Sequence, residues 1–297
     1  MRTLILSLVL LLSCHLVDTQ KGDTSYPSLK LKSVHQLIMT DTLNFDFSGI
    51  VQKDDSIFVV ADKPWNTYIY SIAFNQDGWF VDAQRAITST EKFDLEAIDF
   101  SDGNFYLANE YTGSVNLLVP GATEIQPIPI NFDAHGLAPG TWKNAGWEGL
   151  AIDATKKTMY LTKERQPRFI IAVDMATWTI KEQFDIPQTE SNDFSDAKFH
   201  KGHLYLLERN GNYVTKINPK TKKVLAKYHY RHIASHPKGK LYEPEKYGMA
   251  EALLLTENEI WIGIDNNGLD VSDYAQQAYR LKAKAPAILK FERPKDF

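Results

Sequence analysis

The sequence predicts an all-β chain closed into a five-bladed β-propeller, and two observations carry that prediction. The first is a repeat. Five segments share a short apolar strand, a polar turn, a second apolar strand and then an acidic residue. They are "FSGIVQKDDSIFVVADKPW" from Phe47, "DLEAIDFSDGNFYLANEYT" from Asp94, "WEGLAIDATKKTMYLTKERQP" from Trp147, "FSDAKFHKGHLYLLERNGN" from Phe194 and "MAEALLLTENEIWIGIDNNG" from Met249. Key positions Ser48, Glu96, Glu148, Asp196 and Glu251 follow at steps of 48, 52, 48 and 55 residues. A period near 50 with several short strands is the mark of a propeller blade. The second observation is the hydrophobic period, which is two or a short continuous run, not the 3.6 of an amphipathic helix. Six blades are the alternative count, but a sixth would need strands that are hard to find in the sequence.

Each blade can be filled in order. The first hairpin turns on "KDDS" and is followed by "TYIYSIAF" and "WFVDAQRAI"; the second turns on "SDGN" and continues with "SVNLLVP" and "TEIQPIPI". The third turns on "ATKKT", followed by "RFIIAVD" and "WTIKEQFDI", and the fourth on "HKGH", followed by "YVTKINP" and "KVLAKYHY". These turns have the small and polar composition that hairpins require. The fifth repeat turns on "TENE" and then offers only "AILKFER", one strand short. The segment "SLKLKSVHQL" at 28–37 can supply the missing outer strand, which closes the ring and removes an exposed sheet edge.

The 297 residues are 43% hydrophobic and 12% aromatic, enough for a globular core and contrary to disorder. The net charge is −4 and Lys and Arg form no run, which argues against a nucleic-acid partner. No stretch after the N-terminus is long and apolar enough for a membrane helix. The N-terminus itself, "MRTLILSLVLLLSCHLVDTQ", has a basic Arg2, a short apolar core and a polar end, the form of a secretory signal over residues 1–19. Cys14, the single cysteine, follows that core and leaves two readings open. Either it is the lipidated residue of a bacterial lipobox, or cleavage after Thr19 removes it. The protein is thus expected outside the cytoplasm, as an outer-membrane lipoprotein or as a periplasmic or secreted protein, touching a membrane only through that anchor. Residues 20–28 are expected as a tether and 29–297 as one propeller domain.

Two acidic series keep register with the repeats. Glu96, Glu148, Asp196 and Glu251, with Ser48 as the exception, open the inner strands; Asp62, Glu110, Glu164, Glu208 and Asp265 end the second strands. The two members of each pair are 14, 14, 16, 12 and 14 residues apart, one hairpin up and back, so both belong at the same mouth of the channel. The three longest irregular segments, 131–146, 229–248 and 265–285, join strands on that same face. They are expected to carry His135, Trp142, His232, His236, Tyr242 and Tyr247 towards the acids, and long loops in compact domains are usually functional. Converging carboxylates need protons or a cation. All-oxygen ligands favour a hard ion, calcium first and magnesium or manganese next, with Glu96, Glu148, Asp196 and Glu251 as metal ligands. The alternative is that each acid accepts backbone N–H groups or pairs with the base that follows it, as in Asp62-Lys63, Glu164-Arg165 and Glu208-Arg209. Those three bases could instead bind an anion such as phosphate, in a ligand-binding set completed by Glu110, Glu164, Glu208 and Asp265.

Other motifs are weak. Acyl-enzyme chemistry lacks a GxSxG elbow, and neither a P-loop nor a GxGxxG after a strand is present. "IDNNGLDVSD" lacks EF-hand spacing, and His200 and His203 belong to a turn on the opposite face. Taken together, "DLEAIDF…GNFYLANE", "GWEGLAID…MYLTKERQP", "FSDAKF…LYLLER" and "AEALLL…IWIGIDNNG" resemble the SdiA-regulated family of secreted bacterial β-propellers, and the related group termed esterase-like activity of phytase. The resemblance spans roughly 45–292 and implies an exported propeller with a calcium-compatible acidic centre, its inner-strand motif falling on Glu96, Glu148 and Glu251. Two functions follow as expectations. One is a non-catalytic protein that binds a small anionic ligand or an envelope partner. The alternative is a metal-dependent hydrolase of phosphate esters or lactones, with Glu148 and His135 as the catalytic candidates.

Overall fold

The computed structural model describes residues 26–38, 45–236, 238–244 and 249–297. The signal segment, Cys14, most of the expected tether and Tyr247 lie outside them. Five four-stranded antiparallel sheets form the blades. Blade one is built from Phe47–Lys53, Ser56–Ala61, Tyr68–Asn75 and Gly78–Ala86. Blade two is Leu95–Ser101, Asn104–Asn109, Ser114–Leu118 and the two-residue strand Gln126–Pro127. Blade three is Trp147–Asp153, Thr158–Lys163, Ile170–Asp174 and Thr179–Phe184. Blade four is Asp196–His200, His203–Glu208, Tyr213–Asn218 and Lys223–His229. In blade five, Ala250–Leu255, Glu259–Ile264 and Ala287–Glu292 are completed by Lys30–Gln36, which pairs antiparallel with the C-terminal strand. The expected closure of the ring by the N-terminal strand is therefore present.

The core sits between blades, because each sheet presents alternate apolar residues to both neighbours. One apolar cluster lies at each of the five junctions. Val51, Val60, Leu95 and Leu107 join blades one and two; Ala97, Trp147, Leu150 and Leu161 join two and three; Ile170, Phe194, Leu204 and Leu206 join three and four. Leu207, Val214, Leu253 and Ile262 join four and five, and Phe47, Val59, Trp79, Leu254 and Ile288 bring five back to one. Inner strands approach closely. A Cβ added at Gly149 would stand 2.7 Å from Ala197 N and 2.3 Å from Thr162 Oγ1, so only glycine fits there.

The acidic positions owe their direction to a repeated irregularity. Pairing of the inner and second strands skips one residue between Phe47 and Gly49, Leu95 and Ala97, Trp147 and Gly149, and Ala250 and Ala252. The skipped residues are Ser48, Glu96, Glu148 and Glu251. Each is the extra residue of a β-bulge, a device that re-aims a side chain off the sheet.

Blade four obeys the same rule one residue earlier than the sequence alignment suggests. Asp196 opposes Leu207, and the N–H of Ser195 also donates to Leu207 O at 3.0 Å. Two residues thus face one, and Ser195 holds the bulge position. The inner ring is Ser48, Glu96, Glu148, Ser195 and Glu251. By the same shift, Arg209 rather than Glu208 takes the second-strand position of Asp62, Glu110, Glu164 and Asp265. A one-residue slip turns a strand side chain to the opposite face, which corrects the expected places of Asp196 and Glu208.

Candidate functional site

The bulges and second-strand ends converge on a cavity of about 440 Å³ at one mouth of the channel, lined by nine carboxyl side chains and by Lys63, Arg165 and Arg209. Three rings supply it. The inner ring gives Glu96, Glu148 and Glu251; the second gives Asp62, Glu110, Glu164 and Asp265. A further set, Asp46 and Asp193, lies two residues before the bulge, with Asp94 equivalent to them beside Glu96. This third set was missed in the sequence, although "DFS", "DLE" and "DFS" repeat there in the first, second and fourth blades.

Two trios of carboxylates each bring oxygens within 4.8 Å of one another. One is Glu110, Glu148 and Glu164, all buried, at the junction of blades two and three; the other is Asp62, Asp94 and Glu96 at the junction of one and two. Burial raises the Glu148 carboxyl well above its ordinary range, with Glu96, Glu164 and Glu110 adding repulsion and Arg209 opposing it. Glu96 is raised well above its range too, first by burial and then by Asp62 and Glu110. Glu110 and Glu148 stand in one buried cluster, oxygens within 4.8 Å of each other, and burial raises the Glu110 carboxyl as well. Glu110 also accepts Gly146 N–H at 2.8 Å. Asp265, 4% exposed, is raised well above its range by burial and then by Asp46 and Glu251. Its Oδ1, like Asp62 Oδ1, is buried without a hydrogen-bond partner among the described residues.

The chain supplies part of the countercharge itself. Arg209, 8% exposed, forks onto Glu251 at 2.7 and 2.8 Å, reaches Asp193 at 3.1 Å and contacts Glu164. It neutralises the sector of blades three to five. Lys63 pairs with Asp62, and its backbone N–H donates to Asp94 at 3.1 Å. Arg165 lies half-exposed with its Nε 2.9 Å from Glu164. The expected anion-binding bases therefore line the mouth, each already engaged by a carboxylate. Glu96, Glu148 and Asp265 have no such cation in contact among the described residues. Their donors are all oxygens, matching a hard cation that takes ligands at about 2.3–2.6 Å.

Asp196 and Glu208 lie elsewhere. Asp196 is fully buried below the mouth, accepting Leu253 N–H and Ala197 N–H at 2.7 Å each, with Lys198 Nζ at 3.1 Å. Lys198 reaches Ile98 O at 3.1 Å in blade two and Leu150 O at 3.5 Å in blade three. This ammonium forms a floor inside the channel below the mouth, bridging blade four to blades two and three, and Asp99, accepting Ile152 N–H at 2.8 Å, ties blade two to blade three. Burial pushes Asp196 up to about 7, against the pull of Lys198. Glu208 accepts Glu190 N–H and Ser191 N–H at 2.6 and 2.8 Å, locked in a buried loop contact.

The loop side chains also diverge from expectation. His135 is exposed on a short 3₁₀ turn, Asp133–His135, and does not line the cavity. Trp142 packs edge-on against Trp147 at 5.0 Å, His236 stacks on Tyr274 at 4.4 Å, and Tyr242 donates to Ala285 O at 2.7 Å. The long loops contribute Asn144 and Asn267 to the mouth instead.

Comparisons with known proteins agree with this architecture. A glutaminyl cyclase from Myxococcus xanthus superposes with a TM-score of 0.58 at 9% identity, over 90% of this chain and 100% of that one. U3-55K gives 0.45 at 9% identity over 80% of this chain and 63% of that one. Apo AztD from Citrobacter koseri gives 0.37 at 11% identity over 65% and 48%. The likeness to the cyclase, at 9% identity, shows the fold alone. No curated protein is significantly similar in sequence. The model of the family described as SdiA-regulated matches residues 32–236, most of the blades, and the chain belongs to the SdiA-regulated family.

Proposed function

We propose that the protein is an exported binding propeller whose acidic mouth captures a hard divalent cation, calcium first, and with it a small anionic ligand or an envelope partner. The observation that carries this reading is the buried trio Glu110, Glu148 and Glu164, oxygens within 4.8 Å of one another, at the wall of a mouth with nine carboxyls and three cations. The unpartnered Oδ1 of Asp265 adds a donor that nothing in the described chain uses. Glu148, with Glu110 and Glu164, would hold the ion, and the ion would supply the charge that otherwise has to come from protons. Arg165, half-exposed at the rim, would face an incoming anion. Export is supported by the N-terminal sequence pattern.

The test is thermal unfolding of chelator-treated protein with and without calcium. Binding to the native state alone at 100 times Kd adds about 2.7 kcal/mol, and the rise in Tm should vanish in Glu148→Gln. An unchanged Tm in the unmodified protein would refute the proposal. A hydrolytic reading is favoured by one feature, the buried Glu148 carboxyl raised well above its ordinary range, the direction a general acid needs. Turnover of a phosphomonoester, phosphodiester or lactone that disappears in Glu148→Gln would establish it, and a silent panel would leave binding as the function.

A further inference from the structure

Away from the mouth, "HYRHIASH" places three histidines within eight residues, where the outer strand of blade four ends and the helical turn Arg231–Ala234 begins. We propose that His229 and His232 form a second metal site, for a borderline transition ion such as Cu2+, Ni2+ or Zn2+, at the outer margin of the mouth face. Their ring centroids are 5.9 Å apart, with planes at 80°. Two imidazoles sharing one ion at about 2.0–2.1 Å per nitrogen place their centroids about 5–6 Å apart. Both Nδ1 atoms are closed to solvent and lack a hydrogen-bond partner among the described residues. A buried ring nitrogen without a partner forfeits a hydrogen bond, and here two adjacent rings do so together.

Imidazole nitrogen selects for the later first-row ions, whereas the all-oxygen mouth selects for calcium, so the two sites differ in chemistry. His236 is not a ligand in this arrangement. Its Nδ1 accepts Lys238 N–H at 3.0 Å, which puts the ring proton on Nε2. Both rings are only partly buried, so a small shift of either one on binding would open the remaining coordination positions to water. Arg231, two residues from His229 and next to His232, carries a positive charge and directs its guanidinium to Gly211 O at 3.1 Å and to Tyr213. That charge weakens the site, and Arg231→Gln is expected to tighten it several-fold.

The experiment uses chelator-stripped full chain in excess calcium, which saturates the mouth, titrated with Zn2+ by calorimetry and with Cu2+ by electron paramagnetic resonance. The expected result is one ion per chain with nitrogen hyperfine structure in the copper spectrum. His229→Gln or His232→Gln should each cost at least tenfold in affinity, while His236→Gln changes nothing. Absence of stoichiometric uptake would overturn the assignment, as would uptake that survives the His229/His232 double variant. An all-oxygen copper spectrum of the unmodified chain would do the same without any variant having to fold.

Discussion

Glu148 and Asp196 are both buried acids near the start of an inner strand, yet the structure gives them opposite roles. Asp196 has donors on both oxygens and a lysine at 3.1 Å, so it belongs to the floor. Asp196→Ala would leave Lys198 as a lone buried charge and should cost about 3–5 kcal/mol, read by denaturant unfolding, with calcium affinity retained. Arg209→Gln should cost a similar amount, since Glu251, Glu164 and Asp193 lose their shared cation. Unlike the Asp196 variant, it should regain stability as calcium is added. If both variants respond to calcium alike, the division between floor and mouth is wrong. The acids of the first two rings were legible in the sequence for four blades, because each repeats at hairpin spacing. The blade-four assignment failed by one residue, and the odd separation of 12 between Asp196 and Glu208 was its trace. Ser195 and Arg209 restore 14, but neither is acidic, so a search for acids passes over them.

At the scale of elements, the bulge is what converts a strand residue into a channel residue. A regular ladder would alternate Glu148 between the two faces of its sheet, into apolar packing. The extra residue, followed by Gly149 where no Cβ fits, turns it to the axis. Bulges leave no composition signal of their own, which explains why the strands could be read in the sequence while the exact register could not. Closure was readable because the fifth repeat lacks one strand and 28–37 supplies it. Deleting residues through Leu37 should therefore expose the edge of Ala287–Glu292 and remove Leu29 and Leu37, each buried and worth about 2–5 kcal/mol. The truncated chain is expected to unfold at markedly lower temperature and to associate through the open edge in size-exclusion chromatography. A monomer of unchanged Tm would show that the ring does not depend on this strand.

For the whole molecule, five apolar junctions form the ring, and the carboxyls at its mouth oppose it through mutual repulsion. Glu96 and Glu148 bind protons in the folded chain well above the usual carboxylate value of 4.5, and burial holds Asp62 and Glu251 up to about 7. Such groups hold more protons folded than unfolded, so stability falls as pH rises between about 4.5 and 7. Metal-free protein should lose Tm across that window, and calcium should remove most of the loss by replacing protons. A Tm that climbs with pH in the absence of metal would contradict the repulsive mouth. The ring and its acidic sector can be traced to the repeats, whereas the countercharge from Arg209 and Lys198 emerges only when distant blades meet.

The most direct test of the central claim is a calcium titration of chelator-stripped protein by calorimetry, run in two buffers of different ionisation enthalpy. The mouth described here predicts a saturable calcium site with protons released on binding, and loss of both heat and proton release in Glu148→Gln but not in His135→Gln. No saturable binding in the unmodified chain, or binding indifferent to Glu148→Gln, would contradict it.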